Sequence, residues 1–194
     1  EEYVREINLA AVKLARELAD EYTAKNPDKP RFVAGSVGPT NKTCSMSPDV
    51  NNPAYRALTY DELAAAYQQQ MEAMLEGGVD AILIETIFDT LNAKTAIFAA
   101  EQAMKVTGVE VPVMLSVTVS DVGGRTLSGQ TLDAFLASVQ HANIFSVGLN
   151  CSFGARQLKP FLEQLAVRAP YYISAYPNAG LPNSLGKYDQ TPAD

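Results

Sequence analysis

Apolar residues along the chain recur in two alternating rhythms. Ile7, Ala11, Leu14, Leu18 and Tyr22 fall at helical spacing with charged residues between them, which predicts an amphipathic helix packed through one face and ending near Asn26-Pro27. Phe32-Val33-Ala34 then forms a short apolar run between Arg31 and Gly35, the pattern of a buried strand that empties into a long loop. Thr59-Tyr60-Asp61-Glu62 fits the capping box, so a second helix starts at Thr59. It carries Leu63, Tyr67, Met71 and Met74 on one stripe and stops at Gly77-Gly78. The rhythm then repeats: strand 81–84, helix 91–105, strand 111–119, helix 132–141, strand 144–149, helix 158–166 and strand 171–175. After it, Pro177, Gly180, Pro182 and Gly186 mark a loop.

Strands that are apolar throughout, each separated from the next by a helix, predict an α/β fold with a parallel sheet covered by helices. About five such strands are visible. The chain starts inside a helix and stops just after a strand, so the expectation is a partial (β/α)8 barrel truncated at both ends, with residues 1–194 an internal fragment of a single barrel domain. A doubly wound nucleotide-binding sheet would carry a Gly-rich phosphate turn after its first strand. Gly35-Ser36-Val37-Gly38-Pro39 lacks the G-x-G-x-x-G spacing.

Composition narrows the function class. The 194 residues are 47% hydrophobic, enough for one sizeable core, and 15 basic against 22 acidic residues leave a net charge of −7. That balance argues against nucleic acid and anionic membrane partners. No run approaches the roughly 20 apolar residues of a spanning helix, and the start lacks the pattern of a signal peptide, so the chain reads as cytoplasmic. The two cysteines, Cys44 and Cys151, lie far apart and read as reduced thiols rather than a disulfide framework.

In parallel α/β folds the ligand site forms at the carboxyl ends of the strands, so the strand exits carry the candidate chemistry. Glu85 follows four apolar residues directly and must find a cation or donors to offset its desolvation. A ligand ammonium would satisfy it; so would a role as cap of the next helix or a basic neighbour. Cys151 at the exit Gly148-Leu149-Asn150-Cys151 is a nucleophile, a metal ligand or a small buried filler, the last being the commonest use of a lone cysteine. His141 sits at a helix end, away from the exits, and Cys44 lies in the long polar loop, a mobile setting that makes it a weak ligand. Asp121-Val122-Gly123-Gly124-Arg125 reads either as an anion cradle or as a flexible connection.

Taken in order, these exits resemble those of the homocysteine S-methyltransferase family, and most closely its cobalamin-dependent methionine synthase branch. The likeness runs through Ile7-Asn8-Leu9-Ala10-Ala11, the segment from Phe32 to Thr40, the segment from Ile84 to Lys94, Gly124-Arg125-Thr126-Leu127-Ser128-Gly129-Gln130, Gly148-Leu149-Asn150-Cys151 and Tyr176-Pro177-Asn178-Ala179-Gly180-Leu181-Pro182. It covers essentially the whole chain. The resemblance implies a zinc ion held by three cysteines, of which Cys151 matches the first, with the adjacent pair beyond Asp194. It further implies that Glu85 receives the homocysteine amino group and that Asn178 supplies polar contacts beside it. No residue of this chain is implied to be catalytic in its own right. The methyl group would come from methylcobalamin, and ultimately from methyltetrahydrofolate, bound by cobalamin- and folate-binding modules of the same polypeptide. With two ligands outside the chain, the 194 residues alone are expected to be inactive. The rivals are a betaine- or S-methylmethionine-type homocysteine methyltransferase, a methyl-pterin-binding barrel, which has no use for Cys151 at a strand exit, and a non-catalytic barrel fragment.

Overall fold

The computed structural model describes residues 3–193. Helix α1 (Val4–Lys25) is followed by strand β1 (Ala34–Val37), helix α2 (Tyr60–Gly77), β2 (Ala81–Ile87), α3 (Thr90–Thr107), β3 (Val113–Val117), α4 (Leu132–Val139), β4 (Ser146–Gly154), α5 (Ala155–Arg168) and β5 (Tyr172–Asn178). The five strands form one sheet in the order β1-β2-β3-β4-β5, every pair parallel. A doubly wound sheet reverses its strand order at a switch point. Sequential order without reversal is that of a barrel wall, as the sequence predicts.

Register shows which residues share each face of the sheet. Val37, Ile84, Leu115, Val147 and Ile173 lie side by side in one row. Of these, the first four are buried and belong to the core beneath the helices. Rows of the opposite parity read Ser36, Leu83, Met114, Ser146, Tyr172 and then Ser116, Gly148, Ser174. Successive side chains in a strand point to opposite faces, so the inner face begins with a mixed row that includes Leu83 and Met114 and becomes small and polar toward the strand exits, at Ser116, Gly148 and Ser174. Gly148 is obligatory there, because a Cβ would collide with the carbonyl and hydroxyl oxygens of Ser174.

The sheet curls toward that inner face. Strands β2 and β5 are three places apart, about 14 Å in a flat sheet, where side chains would stand perpendicular and parallel. Yet the Tyr176 hydroxyl on β5 donates to the Glu85 carboxylate on β2 at 2.9 Å. Only a curved wall brings these two tips together.

Helix starts follow their caps. Thr59 and Glu62 form the capping box of α2, and Gly78 ends that helix in the left-handed conformation at φ 90°. Asp89 caps α3, its carboxylate accepting from the backbone N–H of Leu91 and Asn92. Helices α2 and α3 pack closely because α3 presents Ala93, Ala96, Ala99, Ala100 and Ala103 as buried small residues.

Three expectations need correction. The stripe Ile7, Leu14, Leu18 and Tyr22 on α1 is exposed, and the buried residues are Val12 and Ala19 on another face. Val12 seats against Gly77 of α2, where no Cβ stands in its way, and that contact sets the rotation of α1. Strand β1 begins at Ala34 rather than Arg31, since the backbone N–H of Val33 is taken by the Asp80 carboxylate instead of a ladder partner, and Phe32 is exposed. Finally, β2, β4 and β5 run past their apolar cores to Ile87, Gly154 and Asn178, carrying polar exit residues into the ladder.

Candidate active site

Glu85 and Cys151 reach one rim of the sheet by the same kind of local device. In β2 the register slips between Ile84 and Ile87, and Thr86 takes φ 59°. In β4 the slip lies between Asn150 and Gly154, with Cys151 at φ 58° and Ser152 at φ 59°. These are the positive-φ non-glycine residues among those described, and all three lie at strand exits. Each left-handed residue costs roughly 1–2 kcal/mol. Strain of this kind survives only where surrounding contacts over-determine it, and it concentrates at functional sites.

The restraining contacts centre on Asn150, which is 1% exposed. Its Oδ1 accepts from the Thr86 N–H at 3.1 Å and from the Ser116 hydroxyl at 2.6 Å. Its Nδ2 donates to the Thr86 hydroxyl at 2.9 Å and to the Cys151 sulfur at 3.1 Å. Both acceptor and both donor positions of the amide are filled. Ser152 adds a bond from its hydroxyl to the Val119 carbonyl.

Glu85 is half-buried and accepts from the hydroxyls of Ser36 and Tyr176. It is not the cap of α3, a task that Asp89 performs, and no salt bridge involves it among the described residues. The two local roles left open by the sequence, helix cap and partner of a basic neighbour, are therefore both absent. Burial pushes the Tyr176 phenol well above its ordinary range, and the acceptor Glu85 and the nearby Cys151 add to the effect. Tyr176 thus stays a neutral donor between the carboxylate and the thiol. A carboxylate oxygen pair has about four lone-pair directions. Two are used, so two remain for an incoming donor.

Asn178 lies at the end of β5, in register with Gly154 and half-buried, and its side chain bonds to neither Glu85 nor Cys151. Cys151 is a free, half-buried thiol. Among the described residues no cluster of three histidine, cysteine, aspartate or glutamate side chains could hold a metal ion. Cys151 fits the part of one donor in a larger set, and the described residues do not complete that set.

The other candidates resolve into structure. Cys44 is buried, and its loop is pinned: the Cys44 N–H donates to Asn92 Oδ1 at 2.9 Å, and Arg56 Nε donates to the Cys44 carbonyl at 3.1 Å. Ser45 bonds Asp89, and Asn92 also donates to the Lys42 carbonyl. Burial and then the Asp89 charge push the Cys44 thiol up. His141 lies exposed beyond α4. Asp121 satisfies the N–H groups of Gly123 and Arg125 itself, and the Arg125 guanidinium binds the Gly129 carbonyl, which leaves no anion cradle in that loop.

Ser36, Thr86, Ser116 and Tyr176 were not singled out individually from the sequence. The signal is there in part: Ser36, Thr86 and Tyr176 stand in strand-exit segments. What the sequence could not supply is the curl of the sheet that carries Tyr176 to Glu85.

A sequence profile described as homocysteine S-methyltransferase matches residues 1–194. The chain belongs to the homocysteine S-methyltransferase family. Its fold is similar to that of the homocysteine methyltransferase MmuM from Escherichia coli. The apo form superposes with a TM-score of 0.70 at 23% identity, covering 90% of this chain and 59% of that one. The metallated form gives 0.72 at 22% identity, with 91% and 59% covered. At such identity the likeness speaks for the fold alone. The chain spans about three-fifths of the length of MmuM. Among the described residues no helix is long and apolar enough to cross a membrane.

Proposed function

We propose that the protein containing this chain methylates the sulfur of homocysteine, and that residues 1–194 are an internal part of its substrate-binding barrel. The observation that carries this reading is the Glu85 carboxylate, oriented by Ser36 and Tyr176 and paired with no cation among the described residues, on the same rim as Cys151. An α-amino thiol is complementary to that pair. Its ammonium fills the free lone pairs of Glu85, and its sulfur lies toward Cys151, with Asn178 lending polar contacts beside the amino acid end.

Cys151 would be one of three cysteine ligands to zinc, the other two coming from a segment outside these residues. Zinc with three protein ligands and an open position lowers the pKa of a bound thiol from about 8.5 and keeps it ionised at neutral pH. The chain's own part is to bind and aim. Glu85 fixes the ammonium, while Ser36 and Tyr176 hold the carboxylate in place and keep it from swinging into solvent. In the transfer itself the homocysteine sulfur forms the new S–C bond as the methyl group's bond to its carrier breaks, and that bond's electron pair stays on the carrier.

For the carrier we favour methylcobalamin, replenished from methyltetrahydrofolate, with cobalamin and folate modules on the same polypeptide. The segments from Ile84 to Lys94 and from Gly124 to Gln130 support this branch over betaine- or S-methylmethionine-type donors. The test is methionine formation by the full-length protein from homocysteine with each donor in turn. Turnover with methylcobalamin supports the assignment. Turnover only with betaine or S-methylmethionine overturns the donor and leaves the acceptor reading standing; turnover with none of them counts against the whole proposal.

A further inference from the structure

We propose that Asn150 is a positioning residue that fixes the span between the Glu85 carboxylate and the Cys151 sulfur, and through that span selects the length of the amino thiol. The inference rests on the homocysteine reading above and goes beyond it, because Asn150 touches neither end of the substrate in that reading.

Three observations carry it. First, Asn150 is buried and its amide is saturated by Thr86, Ser116 and Cys151, so it has no capacity left for a ligand. Second, its partners lie at the two chemical ends: Thr86 follows Glu85 in β2, and Cys151, which follows Asn150 in β4, carries the sulfur itself. Third, Thr86 and Cys151 hold left-handed φ values of 59° and 58° without being glycine. In that conformation each backbone would relax toward the extended region if released, and each relaxation would re-aim a site residue. Strands β2 and β4 are not adjacent; β3 lies between them. Asn150 therefore spans β3 through Ser116 and ties the two exits rigidly together. A backbone bond could not do this, since ladder bonds join adjacent strands only.

A rigid span has a measurable consequence. Cysteine differs from homocysteine by one methylene, and a well-formed site discriminates one methylene by about 10- to 200-fold. Loosening the tie lets the shorter substrate reach both ends, so discrimination falls while the pocket remains.

The test uses the full-length protein and calorimetric binding of L-homocysteine and L-cysteine, with thermal unfolding measured in parallel. In Asn150→Asp the shape and the acceptor oxygen remain, but both N–H donations to Thr86 and Cys151 are lost. We expect homocysteine to bind about tenfold or more weaker and cysteine to change less than about threefold, so that the ratio collapses. Thr86→Val keeps the branched shape and removes only the hydroxyl that accepts from Asn150, and it carries the test if Asn150→Asp does not fold; a fall of about threefold in the ratio is expected. A ratio held within twofold in the folded variants, or equal weakening of both ligands, overturns the positioning role. Wild-type protein that binds neither amino thiol overturns the homocysteine reading itself and this inference with it.

Discussion

Replacing Glu85 with glutamine isolates the charge of the site. The amide keeps the size of the side chain and one acceptor oxygen, so Ser36 or Tyr176 retains a partner. What disappears is the negative charge that faces the two unused lone-pair directions. A hydrogen bond to a charged group contributes about 1.5–3 kcal/mol net. At 1.4 kcal/mol per decade, that is a loss of about 10- to 150-fold in homocysteine affinity. Glu85 is half-buried rather than enclosed, which places the expected loss toward the lower part of that range. The assay is calorimetric titration of the full-length protein with homocysteine and with 4-mercaptobutyrate, the same thiol acid without the amino group. Glu85→Gln should weaken the first by at least about tenfold and leave the second within about twofold. Equal losses for both ligands, or no loss for homocysteine, would refute the assignment of the ammonium to Glu85.

Other consequences follow from the same geometry. In metal-free protein a thiol reagent should modify Cys151 readily and Cys44 only on opening of its loop, because Cys44 is buried and its thiol is pushed up by burial and by Asp89. Read residue by residue by peptide mass spectrometry, Cys151 should label at least about tenfold faster than Cys44, and fast labelling at Cys44 itself would contradict the packing of the 38–58 loop. Gly148→Ala drives a methyl into Ser174 between β4 and β5 and should cost about 3 kcal/mol or more by urea unfolding; a loss under about 0.5 kcal/mol would mean that the strands are not so close. Burial alone would raise the Asp80 carboxyl, but the bonds from Val33 N–H and Arg16 outweigh it and hold it low. Its stabilisation is thus complete above the unfolded value of about 3.9 and is lost as pH falls through the lower folded value. Asp80→Asn should lose about 1 kcal/mol at pH 7, after discounting for partial exposure, and converge with wild type in strong acid. Parallel curves down to pH 2 would refute that role.

Strand and helix order was legible because each element pairs a hydrophobic period with a punctuating residue, as in the Thr59 to Glu62 capping box and Gly78. The rotation of α1 was not. Ile7, Leu14, Leu18 and Tyr22 form the more obvious apolar stripe, but the close approach of Val12 to Gly77 decides which face packs, and that depends on a partner helix. In a closed barrel the exposed stripe would meet elements flanking α1. Strands β2, β4 and β5 extend beyond their apolar runs for a related reason. Polar residues such as Glu85, Asn150 and Asn178 look like loop, yet they stay in or beside the ladder through bulges whose cost is offset by side-chain bonds that no local pattern reveals. Glu85 and Cys151 themselves were legible as strand-exit residues. Their connecting network was not, because Asn150, Ser116 and Thr86 meet only once three strands are laid side by side and curled.

The central claim, that Cys151 supplies a sulfur to a metal that activates homocysteine, is tested most directly by X-ray absorption on the full-length protein with and without homocysteine, beside Cys151→Ala. The account predicts one zinc bound by three sulfurs, a fourth sulfur on addition of homocysteine, and loss of the metal in the variant. Wild-type protein without zinc, or a variant that binds zinc with an unchanged sulfur shell, would contradict it.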